Sequence, residues 1–115
     1  MARRRKADEA LPLTPVVFHT LIALASGPAH GYAIAQEVER ETGGRLRMGP
    51  GTLYGSLQRM RDEELIEESA NPGEDGVHSE RRRYYRLTRW GAAVLRAETG
   101  RLRRAVELAD GRMGA

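Results

Sequence analysis

Between Pro15 and Glu64 the chain is cut by Gly27-Pro28, Gly43-Gly44 and Gly49-Pro50 into three apolar-patterned segments of helix length. Proline cannot continue a helix from within, and glycine readily takes the left-handed conformation that ends one. These pairs therefore permit short helices and forbid a long one. The first helix opens on Thr14 as N-cap with Pro15 in its first turn, and carries Val17, Leu21, Leu24 and Ala25 at helical spacing. The second is expected over residues 30–42, with Ile34, Ala35 and Val38 inward and Gln36, Glu37, Glu39 and Arg40 toward water. The third starts at Gly49-Pro50 and is expected to run to about residue 64.

Two short strand-like runs follow, at residues 65–70 and 82–87, joined by the turn-forming Asn71-Pro72-Gly73-Glu74-Asp75-Gly76. Thr88 then caps a last helix expected to span about residues 89–108. The predicted fold is mostly α with a small two-stranded antiparallel wing: a winged helix-turn-helix in the order α-α-α-β-β-α. Residues 1–11 read as a flexible basic arm, 12–88 as the winged domain, 89–110 as a separate terminal helix and 111–115 as a frayed tail.

Composition removes whole classes of function. The absence of cysteine excludes disulfide scaffolds, thiolate metal sites and cysteine catalysis, and suits a reducing cytoplasm. The histidines His19, His30 and His78 are scattered, and no metal or cofactor site is expected. Ser56, Ser69 and Ser79 lack a nucleophile motif, and the acids form no evident catalytic pair, so the chain is not read as an enzyme. The apolar run over residues 16–25 is about half the ~20 residues of a membrane span. Arg3-Arg4-Arg5-Lys6 is followed by acids rather than an apolar segment, so neither a membrane nor export is expected.

Net charge is only +3, but it is segregated: residues 62–75 hold seven acids and no base, whereas ten of the nineteen basic residues follow position 80. All but one of the bases are arginine, whose planar fork suits phosphate and guanine. On a helical wheel of the third helix, Leu53, Leu57 and Met60 face inward. Gly51, Thr52, Gly55, Gln58, Arg59 and Asp62 face outward, with Tyr54 and Arg61 at one edge and Ser56 at the other. Such a face, small near its N-terminus, suits a major groove, where glutamine matches adenine and arginine guanine. The same glycines would also let another protein element pack closely, and Tyr54 serves equally as a half-buried edge of the core.

Several segments together resemble the PadR family of bacterial transcriptional regulators. They are Gly27-Pro28-Ala29-His30-Gly31-Tyr32, Gly51-Thr52-Leu53-Tyr54, Leu57-Gln58-Arg59-Met60 leading to Leu65-Ile66, and Arg83-Tyr84-Tyr85-Arg86-Leu87-Thr88 with Gly91. The resemblance covers roughly residues 13–100, in order and spacing. It implies a dimeric repressor of the short form, with the third helix in the major groove of double-stranded DNA and the wing on the adjacent backbone or minor groove. By position, Thr52, Tyr54, Gly55, Gln58 and Arg59 correspond to the recognition segment and Arg81, Arg82 and Arg83 to the wing base. His30 and Tyr32 match a second-helix signature, for which an architectural role is expected: His30 helps cap the helix start, Gly31 permits helix packing and Tyr32 fills a gap. The chain departs from the pattern at Glu64, where many relatives carry glycine, and in the acidic wing tip Glu74-Asp75, which would repel phosphate.

In the last helix Leu95, Leu102 and Ala109 recur every seven residues, flanked by Ala92 and Val106. A homodimer with a paired terminal helix is expected, the alternative being a helix folded back on its own domain. Two recognition helices would then meet an inverted-repeat operator. Some members of the family sense small aromatic compounds at the dimer interface. A small-molecule effector is unsupported here, since Trp90 is the terminal helix's one aromatic residue. The acidic run keeps a second reading open, that of a winged-helix protein-interaction module without direct DNA readout.

Overall fold

The computed structural model describes residues 6–70 and 83–114. Helix α1 (Pro15–Leu24) begins as its sequence requires, with the Thr14 hydroxyl accepting the Val17 N–H at 3.3 Å and Pro15 in the first turn. A two-residue strand β1 (Ala29–His30) leads into α2 (Gly31–Glu41), whose N-cap is His30; its Nδ1 accepts the Ala33 N–H at 3.2 Å. Helix α2 stops where Gly43 and Gly44 turn left-handed, at φ 62° and 83°. Their N–H groups donate back to Arg40 and Glu39 at 3.2 and 2.8 Å, which satisfies carbonyls that the helix end would strand.

Helix α3 (Pro50–Asp62) ends by the same device without a glycine. Glu64 and Leu65 donate back to Arg61 and Met60, both at 2.9 Å, while Glu64 itself adopts φ 64°. The turn is thus made without glycine and is loaded with a residue that the left-handed region disfavours. The turn feeds β2 (Ile66–Ser69), which pairs antiparallel with β3 (Tyr84–Leu87). The expected wing has two strands; the sheet has three, in the order β1-β3-β2, because Ala29 and His30 pair with Tyr85 and Tyr84. Two residues are too few to display the alternation by which a strand is recognised in sequence.

The core gathers Leu21 and Leu24 of α1, Ile34 and Val38 of α2, Leu53, Leu57 and Met60 of α3, Ile66 and Tyr85 of the sheet, and Val94 of the last helix. That helix, α4 (Arg89–Met113), is longer than expected. Gly111 lies within it, so residues 111–113 are helical rather than frayed, and the left-handed stop falls on Gly114 at φ 76°. The expectation of a solvated arm over residues 1–11 also needs correction at its end. Residues Ala7–Ala10 form a 3₁₀ turn that packs on α4, and Ala7 and Leu11 rest against the core.

Two joints hold the terminal helix to the rest. The Thr88 side chain caps α4 by accepting the Gly91 N–H at 2.9 Å, and its hydroxyl donates to the Glu64 carbonyl at 2.6 Å. The buried carboxylate of Glu98 accepts the Leu13 N–H at 2.8 Å and two bonds from Arg101 at 2.6 and 3.1 Å. The Thr88 cap was expected from the sequence, but its bond to Glu64, 24 positions away, and the bond between Glu98 and Leu13, 85 positions apart, were not readable from residue spacing.

Candidate nucleic-acid interface

Helix α3 turns Leu53, Leu57 and Met60 into the core, and this fixes what its other side offers. Gly51, Thr52, Tyr54, Gly55, Gln58, Arg59 and Asp62 are all exposed, as the helical period requires. The helix start is capped by Gly49, which supplies no side-chain acceptor. First-turn N–H groups are therefore left for an external anion or water. A Cβ added at Gly51 or Gly55 would meet nothing within 4 Å, so no described element of this chain requires glycine at either position. The face is low because its residues are small.

Tyr54 is divided between two roles. Its ring lies over the first residue of α2, where a Cβ on Gly31 would stand 3.0 Å from both the ring and its hydroxyl oxygen. Even so, the residue stays 51% exposed. Tyr32 was expected to fill a gap, but it is 64% exposed, for the glycine beside it and not the tyrosine makes the close contact. Both tyrosines line an open cleft of about 780 Å³ with Ala35, Met48 and Leu53 between α2 and α3.

Ion pairing sorts the arginines. Arg61 Nη1 meets Glu68 Oε2 at 3.2 Å, tying α3 to β2, and Arg86 Nε meets Glu67 Oε2 at 2.8 Å directly across the β2–β3 ladder. Arg59 is exposed and pairs with no acid among the described residues. Gln58 donates from Nε2 to Asp62 Oδ1 at 3.1 Å, one turn along the same face. Arg83 is exposed just before β3, while Arg81, Arg82 and the wing tip lie outside the described residues. Sequence reasoning singled out the arginines and missed that Glu67 and Glu68 hold two of them. The signal was available as two acids on one strand opposite bases on its neighbours.

Within β3, burial pushes the Tyr85 phenol above its ordinary range, so it stays neutral as a core residue. Tyr84 lies on the other side of the strand, edge-on to the His30 ring at 5.4 Å. His30 thus joins the sheet to the start of α2, in the architectural role expected for it. Trp90 packs against the core from the start of α4.

Of the residues expected to pair two copies, Ala92, Leu95 and Leu102 are partly buried within the chain, and Leu95 packs on its core. Val106 and Ala109 are exposed, as is every residue from 103 to 113. The extension of α4 adds Met113, 72% exposed, to the stripe of Leu102, Val106 and Ala109. No helix among the described residues is long and apolar enough to cross a membrane.

Comparison with known proteins gives this arrangement a lineage. The chain is 41% identical over 78 residues to an uncharacterized 37.1 kDa protein in transposon TN4556 of Streptomyces fradiae, of whose length it spans 20%. Among solved structures it is similar to a PadR family transcription regulator of Clostridium difficile, with a TM-score of 0.68 at 22% identity over 89% of this chain and 100% of that one. It is also similar to Bacillus subtilis PadR, solved in complex with operator DNA, with a TM-score of 0.60 at 24% identity over 74% of this chain and 45% of that one. Residues 20–97 match the transcriptional regulator PadR-like family, a stretch that runs from α1 through the wing into α4; the chain belongs to that family.

Proposed function

We propose that this protein is a sequence-specific double-stranded DNA-binding repressor that acts on an inverted-repeat operator as a homodimer. Helix α3 enters the major groove, where Gln58 and Arg59 read base edges and Thr52, Tyr54 and Gly55 allow close approach to the backbone. Arg83, with Arg81 and Arg82 beside it, holds the neighbouring phosphates. The observation that carries this reading is the contrast between Arg59 and its neighbours. Arg61 and Arg86 pair with Glu68 and Glu67, whereas Arg59 stands exposed on the low face of α3 and, among the described residues, pairs with no acid.

The same ion pairs weigh against the protein-interaction reading. That reading was motivated by the acidic run, and two of its acids are engaged with arginine. The operator complex of the B. subtilis relative adds support, since its fold is shared. The second copy is provided for by α4, whose stripe from Leu102 to Met113 extends beyond the domain. A symmetric pair would set two α3 helices about one turn of DNA apart, ~34 Å.

Fluorescence anisotropy of the full chain on a genomic fragment library tests the reading. Binding should weaken steeply with salt, because arginines at phosphates release counterions. Arg59→Ala should lower discrimination among sequences by about 1–3 kcal/mol, whereas Arg83→Ala should weaken all duplexes alike and reduce the salt slope by about 1. No duplex binding at low salt, or identical profiles for the two variants, would refute it.

A further inference from the structure

Asp62 is an acid placed where both its helix and a nucleic acid would favour its absence. It is the last residue of α3, exposed on the same face as Gln58 and Arg59. A negative charge at a helix C-terminus meets the negative end of the dipole, so the charge does not stabilise the helix. Turned toward a polyanion, it also opposes binding. What Asp62 does have is one specific partner, the Gln58 amide, whose Nε2 donates to its Oδ1 at 3.1 Å. The reverse amide orientation would set two acceptor oxygens against each other, so the carboxylate decides which end of the amide lies where.

We propose that Asp62 is a positioning residue for sequence readout, holding the Gln58 side chain in the orientation that recognises adenine. One Nε2 hydrogen is committed to Asp62. The other hydrogen and Oε1 remain, and these form the donor and acceptor that match N7 and the N6 amino group of adenine in the major groove. An untethered glutamine offers donor and acceptor in either order and loses more rotamer freedom on binding. Asp62 thus acts through Gln58 and touches no base itself, and its charge lowers general affinity for DNA while its oxygen sharpens selection. The inference rests on α3 reading a major groove.

The test uses the full chain and the duplex it enriches from a random-sequence library, together with duplexes in which each base pair is changed in turn. Asp62→Ala should lower the preference at the base pair read by Gln58 by about fivefold or more and leave other positions unchanged. Asp62→Asn removes the charge and offers an amide that can accept from Nε2 or donate to Oε1, so it should bind every duplex more tightly while losing part of the preference at that base pair. In a Gln58→Ala background, Asp62→Ala should change no preference. An unchanged profile for Asp62→Ala would overturn the inference, as would a loss of preference that persists without Gln58 or one spread over all positions. If the wild-type chain enriches no sequence, the DNA-reading function itself fails and the inference falls with it. Enrichment combined with an unaltered Asp62→Ala profile sinks the inference alone. Because Asp62 is exposed, thermal midpoints equal to wild type should show that the variants fold.

Discussion

The carbonyl of Leu65 lies against the backbone of Gly91 so closely that a Cβ on Gly91 would stand 2.0 Å from its oxygen. The same carbonyl accepts the Thr88 N–H at 3.2 Å, so the turn after α3 and the start of α4 are locked face to face. This joint sets where the terminal helix leaves the winged domain.

Gly91→Ala must push that carbonyl away or shift α4 as a whole. A cost of about 3 kcal/mol is expected, at the upper end for overpacking, since backbone cannot swing aside as a side chain does. Urea unfolding of the variant should show a lower midpoint at unchanged slope. A loss under ~0.5 kcal/mol would mean that the joint is loose.

Glu64 holds the left-handed conformation at φ 64°, which disfavours any residue with a Cβ. Glu64→Gly removes that strain but gives the unfolded chain more freedom, and the two partly cancel. A net gain of about 0.5–1 kcal/mol is expected. The Thr88 hydroxyl bonds the backbone carbonyl of residue 64, so that contact survives the substitution. A lower thermal midpoint for the variant would contradict the argument.

The Glu98 carboxyl is held below the usual carboxylate range chiefly by its hydrogen bonds with Arg101, with burial opposing and the Leu13 N–H assisting. A lowered folded value means that the ionised form supports the fold above the unfolded value of about 4.3, and that this support fades as pH falls through the folded value. Glu98→Ala should cost about 1–3 kcal/mol at neutral pH, because it strands the Leu13 N–H. The difference from wild type should shrink below about pH 4. Limited proteolysis should cut the variant first near residues 6–13. An undiminished gap at acid pH would place the effect elsewhere.

Val106 is the sharper site at which to test pairing of two copies. Leu95 also packs on its own core, so a charge there confounds folding with assembly. Val106 is 58% exposed in the chain, and Val106→Glu should leave the monomer's fold intact while converting the proposed dimer to monomer. Sedimentation at micromolar concentration reads the outcome. Operator affinity should fall steeply, because the second half-site is then no longer tethered. A dimer that survives the substitution would point to a different pairing surface.

The order of helices, the caps at Thr14 and Thr88, the stop at Gly43-Gly44 and the outward face of α3 were determined by the sequence alone. Each depends on residues within about one helical turn of one another, and helical period and capping act at that range. Only the tertiary structure decided the third strand at Ala29–His30, the ion pairs that occupy Arg61 and Arg86, the seat of Glu98 under Leu13 and the contact of Gly91 with Leu65. These join positions far apart in the chain. An acid or a glycine shows its kind in the sequence, whereas which distant backbone or charge it meets is settled only when the core brings them together.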